Sequence, residues 1–97
     1  MSAQTVPIHR RLVRYYDLLK ETGVVVLSTE PNSPAQRSGL RGGDVIIALE
    51  GQPVAGVDDL HRLLTELRVG ATSELTILRG TERHHLAIVP EETERAN

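Results

Sequence analysis

The sequence predicts a mixed α+β domain that is mainly β: a partly open antiparallel barrel or sandwich of about five or six strands, with two helices and a short helical turn. Three observations predict it. Short apolar or alternating runs, Val24–Thr29, Val45–Leu49, Ser73–Arg79 and Glu82–Val89, are each bounded by Gly, Pro or Asn. Helical spacing of apolar residues occurs in only two stretches, from Ile8 to Leu19 and from Asp58 to Arg68. Between the first two runs lies Ser33-Pro34-Ala35-Gln36-Arg37-Ser38-Gly39, where Ser33 can cap a helical turn, Pro34 suits its first position and Gly39 supplies a left-handed stop.

Composition limits the core and the partners. The chain has 97 residues, enough for one domain that buries roughly two-thirds of the surface its unfolded form exposes. Phe, Trp and Cys are absent, and Tyr15 and Tyr16 are the only aromatics, so Val, Ile, Leu and Ala must build the core. A formal charge of −2 and almost no aromatic surface for base stacking exclude nucleic acid as a partner. Lack of cysteine excludes disulfides and thiolate metal sites, and it fits either redox compartment. The longest apolar runs are too short to span a bilayer, and residues 1–20 lack the apolar segment of a signal peptide, so the expectation is a soluble segment without membrane contact.

Taken in order, Met1 to Val6 reads as a strand beginning or a frayed terminus. From Ile8 to Leu19, Ile8, Leu12, Tyr15, Tyr16 and Leu19 form an apolar face and Arg10, Arg11 and Arg14 a basic one, predicting an amphipathic helix. Val24–Thr29 is β-branched enough for a central strand. After the capped turn, Leu40 points inward, Gly42-Gly43-Asp44 turns the chain with Asp44 accepting backbone hydrogen bonds, and Val45–Leu49 is buried on both faces. Gly51-Gln52 is expected as a hairpin turn into Pro53-Val54-Ala55, where proline implies an edge. Asp58 and Asp59 open the second helix and Arg68 ends it, each matched to the helix dipole, with Gly70 closing the segment. Ser73–Arg79 alternates Leu75 and Ile77 inward with Glu74 and Thr76 outward. It turns at Gly80-Thr81 and pairs with Glu82–Val89, whose Leu86 and Ile88 share a face. Pro90 ends the hairpin, residues 1–90 form one domain, and the acidic tail 91–97 is expected to be disordered.

The order from Ser33 to Leu49, SPAQRSGLRGGDVIIAL, followed by Gly51 and Pro53-Val54, resembles the centre of a PDZ domain, in the circularly permuted variety found in bacterial HtrA/DegP-type serine proteases. The resemblance covers most of Gly23 to Pro90. It implies a PDZ-like fold and binding by β-augmentation, in which an extended peptide pairs with a sheet edge beside a helix. On the second helix Leu60, Leu63 and Leu67 form a core stripe, while Val57, His61 and Leu64 form a second stripe that the resemblance turns toward a ligand. The implied peptide-binding residues are Ala3, Gln4, Thr5 and Val6 on the edge, with Val57, His61, Leu64 and Thr65 on the helix; read without the resemblance, Leu64 is plain core and His61 a solvated residue. A histidine in that stripe would make binding pH-dependent. No match to the family's carboxylate-binding loop occurs in Met1 to Thr22, so that loop is expected to be cut away, with the strand that follows it falling at about Ala3 to Val6.

No catalytic residues, metal ligands or cofactors are expected. Ser33 and Ser38 have local roles as cap and pre-glycine residue, His84 and His85 point to opposite faces of one strand, and the Gly42-Gly43 turn lacks the lysine and helix of a phosphate cradle. Arg10 and Arg11 could attract a carboxylate in place of the missing loop, but a basic helix face is usually just solvated, and that reading is preferred. The implied partners are C-terminal or unfolded polypeptide and the parent protease domain, with a possible oligomer through the parent protein and, for an HtrA-like parent, a periplasmic or cell-envelope location. The competing expectations are an interdomain clamp or oligomerisation module, or a PDZ domain of an intramembrane metalloprotease, a C-terminal processing protease or a secretion protein.

Overall fold

The computed structural model describes residues 2–67 and 70–89. Its elements in chain order are β1 (Ser2–Pro7), α1 (Arg10–Tyr15), β2 (Thr22–Ser28), α2 (Pro34–Arg37), β3 (Val45–Leu49), β4 (Gln52–Pro53), α3 (Val57–Thr65), β5 (Ser73–Arg79) and β6 (Glu82–Ile88). The strands form one antiparallel sheet in the order β1-β2-β3-β5-β6, open at β1 and β6. One margin of β3 is divided: β2 pairs its first half at Val45 and Ile46, and β4 pairs its second half at Ala48 and Leu49.

Why the pieces adopt these forms follows from local chemistry. The Ser33 hydroxyl accepts from the Gln36 amide at 3.2 Å, Pro34 occupies the first turn of α2, and Gly39 follows at φ +99°, a left-handed conformation with little penalty for glycine. Ala35 and Leu40 are thereby delivered to the core, where they join Val24, Val26, Ile46, Leu49, Val54, Leu60, Leu63, Leu75, Ile77 and Ile88. Gly23 lets β2 and β3 approach closely, since a Cβ there would lie 2.8 Å from the Ile46 carbonyl oxygen.

Several expectations need correction. The first helix is shorter than Ile8–Leu19: it ends at Tyr15, and Asp17 at φ 54° breaks the repeat. Leu19 therefore leaves the helical face, and both it and Tyr15 stand exposed, at 81% and 77%. The β3–β4 hairpin turns on Glu50-Gly51 rather than Gly51-Gln52, because those two residues hold the positive φ values, 52° and 77°, that a two-residue hairpin turn demands. Strand β5 is buried on both sides from Leu75 to Leu78, Thr76 included, rather than facing water on one side; Thr76 shares a hollow with Tyr16, Asp17 and Leu18 of the segment after α1, which stands over that face. Helix α3 begins at Val57 and ends at Thr65, with Glu66 as its C-cap. Arg68 and the tail lie outside the described residues, so the dipole pairing expected of Arg68 and the disorder expected of residues 91–97 do too.

Candidate functional site

The candidate site is the margin where β1 meets α3. β1 is the outer strand on its side of the sheet, paired to β2 through Ala3↔Val26, Gln4↔Val25, Thr5↔Val24 and Val6↔Gly23. Among the described residues no other strand pairs with it, so β1 is an edge of the sheet. α3 packs against both β1 and β2.

Helix α3 is placed by its own start. Gly56 stands at its N-cap without a side chain, and the first helical amide, that of Val57, donates instead to Thr5 Oγ1 on β1 at 3.0 Å. The Asp59 carboxylate reaches back to accept from the Ala55 amide at 3.0 Å, and the Thr22 hydroxyl donates to the Ala55 carbonyl at 2.6 Å. The Ala55 hydrogen bond, with Arg62 second, holds the Asp59 carboxyl below its ordinary range. Thr5, Ala55, Gly56, Val57, Asp58 and Asp59 line a depression of ≈ 280 Å³ at this corner.

Of the sequence-predicted residues, Thr5 and Val57 are brought into direct contact. Ala3, Val57 and Leu64 are half-buried and pack against the core, Val6 is half-buried, and Gln4 and His61 are exposed. The Thr65 hydroxyl donates to the Arg62 carbonyl of its own helix at 2.7 Å. Leu60 and Leu63 are buried, as the stripe assignment requires. Sequence reasoning placed Asp59 in the first turn of this helix but gave it only a dipole role; its bond back to the Ala55 amide, a reach of the capping-box kind, was not read.

Elsewhere the polar groups have local partners. The Ser33 hydroxyl donates to the Glu30 carbonyl at 2.7 Å and that of Ser38 to the Ala35 carbonyl at 2.6 Å. His84 Nε2 lies 3.3 Å from Glu82, and His85 Nδ1 lies 3.2 Å from Thr76 Oγ1 and 3.6 Å from Glu74, so the adjacent histidines serve opposite faces of β6. Among the described residues no group of three or more His, Asp or Glu side chains could hold a metal ion.

Compared with known proteins, residues 3–89 match the profile described as PDZ domain. The chain belongs to the PDZ domain family. This PDZ domain is 33% identical over 80 residues to a Rhizobium meliloti protein named "Probable periplasmic serine endoprotease DegP-like", a match covering 82% of the chain and 16% of that relative. A Pseudomonas putida protein of the same name is 35% identical over 81 residues, covering 84% of the chain and 17% of the relative. The PDZ domain thus spans about one sixth of the length of the curated relatives it matches. Among solved structures, the HtrA3 PDZ domain bound to a phage-derived ligand superposes with a TM-score of 0.68 at 26% identity, covering 94% of this chain and 83% of that one. An HtrA-type protease solved with a decapeptide gives 0.67 at 26% identity, over 71% of this chain and 21% of that one. The open antiparallel sheet with few helices is the fold these neighbours share.

Proposed function

We propose that this PDZ domain captures extended or C-terminal polypeptide by adding it as a strand to the outer margin of β1, beside α3, as the recognition or regulatory part of an HtrA-like serine protease. The observation that carries this reading is the position of β1, outermost in the sheet with α3 packed against it. Ala3, Gln4, Thr5 and Val6 offer the backbone, and Val57, His61, Leu64 and Thr65 the opposing wall. A structural neighbour, the HtrA3 PDZ domain solved with a bound phage-derived ligand, lends it support. In this reading the chain hydrolyses nothing itself, its parent is periplasmic, which the periplasmic naming of its relatives supports, and its further partner is the parent protease domain. No helix among the described residues is long and apolar enough to cross a membrane.

The test is a titration of the isotope-labelled chain with a library of C-terminal peptides, followed by amide chemical shifts. Saturable shifts along Ala3–Val6 and Val57–Thr65 support capture, and silence there refutes it.

The Thr5–Val57 hydrogen bond favours a second reading, because it ties strand to helix across the same margin with the molecule's own groups. In that reading the domain is an interdomain clamp or oligomerisation module. A silent titration of the native chain that stays silent after Thr5→Val, with a change of mass on adding the parent protease domain, would establish the clamp.

A further inference from the structure

Helix α1 carries an unusual surface for a chain of net negative charge. Arg10, Arg11 and Arg14 are all exposed, and among the described residues none of their guanidinium groups takes part in an ion pair. At the end of the same helix Tyr15 is 77% exposed, and Leu19 shortly beyond it is 81% exposed, the two most exposed large apolar side chains described. These groups stand on a fixed support. The Tyr16 hydroxyl donates to the Thr81 carbonyl at 2.7 Å and accepts from the Arg83 amide at 3.2 Å, while the Arg83 guanidinium lies 4.9 Å from the Tyr16 ring centre. Tyr15 stacks edge-on against Tyr16 with ring centres 4.8 Å apart. Arg11, Leu12, Tyr15, Tyr16, Thr81 and Glu82 line a hollow of ≈ 370 Å³.

From this arrangement we infer that the exposed face of α1 is a docking surface for an acidic polypeptide segment that also presents an apolar side chain. The guanidinium groups have geometry for carboxylates, which they can bind in a bidentate fashion. Arg and Tyr are the residue types enriched where protein interfaces are strongest, and the hollow between Tyr15 and Thr81 admits a protruding side chain in a way that a flat bilayer would not use. The acidic neighbours, Asp17 and Glu82, are outnumbered, and Glu82 Oε1 lies 3.3 Å from His84 Nε2. The surface is distinct from the β1–α3 margin, since α1 is anchored through Tyr16 at the β5–β6 turn.

The test uses a peptide of alternating glutamate and leucine, capped at both ends so that no free C-terminus is present. It is titrated into the labelled chain beside the same peptide with glutamine replacing glutamate, and beside phosphatidylglycerol vesicles. We expect saturable shifts at Arg10–Tyr16, Leu19 and Thr81 with the glutamate peptide alone. They should weaken about tenfold between about 50 and 500 mM salt, as screening of exposed charge requires. Arg11→Glu combined with Arg14→Glu, and separately Tyr15→Ser, should each abolish the shifts while leaving the melting temperature and the response of Ala3–Val6 to C-terminal peptides unchanged. Equal shifts with the glutamine peptide, shifts confined to β1 and α3, or binding to vesicles without any response to the acidic peptide would each overturn the inference. Peptide capture at β1 stands or falls separately, since its readout is at other residues with another ligand.

Discussion

Asp44 and Arg79 are joined by two parallel hydrogen bonds, Nε to Oδ1 at 2.9 Å and a terminal guanidinium nitrogen to Oδ2 at 2.7 Å, across 35 residues of sequence. Asp44 is only 2% exposed and also accepts from the Arg41 amide at 2.9 Å. The pair ties the turn before β3 to the end of β5, and a further bond from Arg79 to the Gly39 carbonyl at 3.0 Å brings in the stop after α2.

This pairing sets a pH dependence. Burial pushes the Asp44 carboxyl up, but the bonds from Arg79 and Arg41 with their charges outweigh it, so the carboxyl titrates below its ordinary value of 3.8. Because the folded value is the lower one, the stabilisation is complete above the unfolded value and is lost as pH falls through about 4 and below. Asp59 acts in the same direction. Asp44→Asn should flatten the fall in melting temperature between about pH 5 and 2.5 while lowering the melting temperature at pH 7. An acid slope identical to that of the native chain would refute the assignment.

Leu40 and Leu64 should separate folding from binding. Leu40 is 3% exposed within the core, so Leu40→Ala should cost about 2–5 kcal/mol by leaving a cavity, enough to unfold much of the population in a urea melt. Leu64 is half-buried against the core, and if α3 walls the proposed groove, Leu64→Ala should weaken peptide affinity more than it lowers stability. An ordinary stability loss with unchanged affinity would remove Leu64 from the site.

Thr5 supplies an acceptor for the first orphan amide of α3, that of Val57. Thr5→Val keeps the shape and deletes the bond to the Val57 amide, and it should cost about 0.5–2 kcal/mol, the usual worth of a helix cap. Thr5→Ser should retain most of the stability. Equal stability for Thr5→Val and Thr5→Ser in denaturant unfolding would count against this cap.

Gly23 is fixed by close approach rather than by backbone freedom. Gly23→Ala would set a methyl against the Ile46 carbonyl oxygen and the Val45 side chain, forcing β2 from β3 and costing about 1–3 kcal/mol. Faster hydrogen exchange at Val24–Val26 is the local readout to expect.

The element types, the α2 cap, the inward Leu40 and the buried stripe of α3 were all legible in the chain, because each depends on residues within one or two turns of one another. The hairpin at Glu50-Gly51 was misplaced by one residue, since the preference of Gly51 for positive φ is plain in sequence and the acceptance of it by Glu50 is not. The end of α1 at Tyr15 was hidden for the same reason, as Asp17 adopts a conformation that its type does not demand. Neighbours distant in sequence decided the rest. The cover over Thr76 came from the segment after α1, the partner of Asp44 came from β5, and the acceptor for the first amide of α3 came from β1. Local sequence therefore determined which segments are helix, strand or turn. Which strand is left at the margin beside α3 was readable only through the family resemblance and is decided physically by the tertiary structure, because strand order is a matter of long-range pairing that no short stretch of residues encodes.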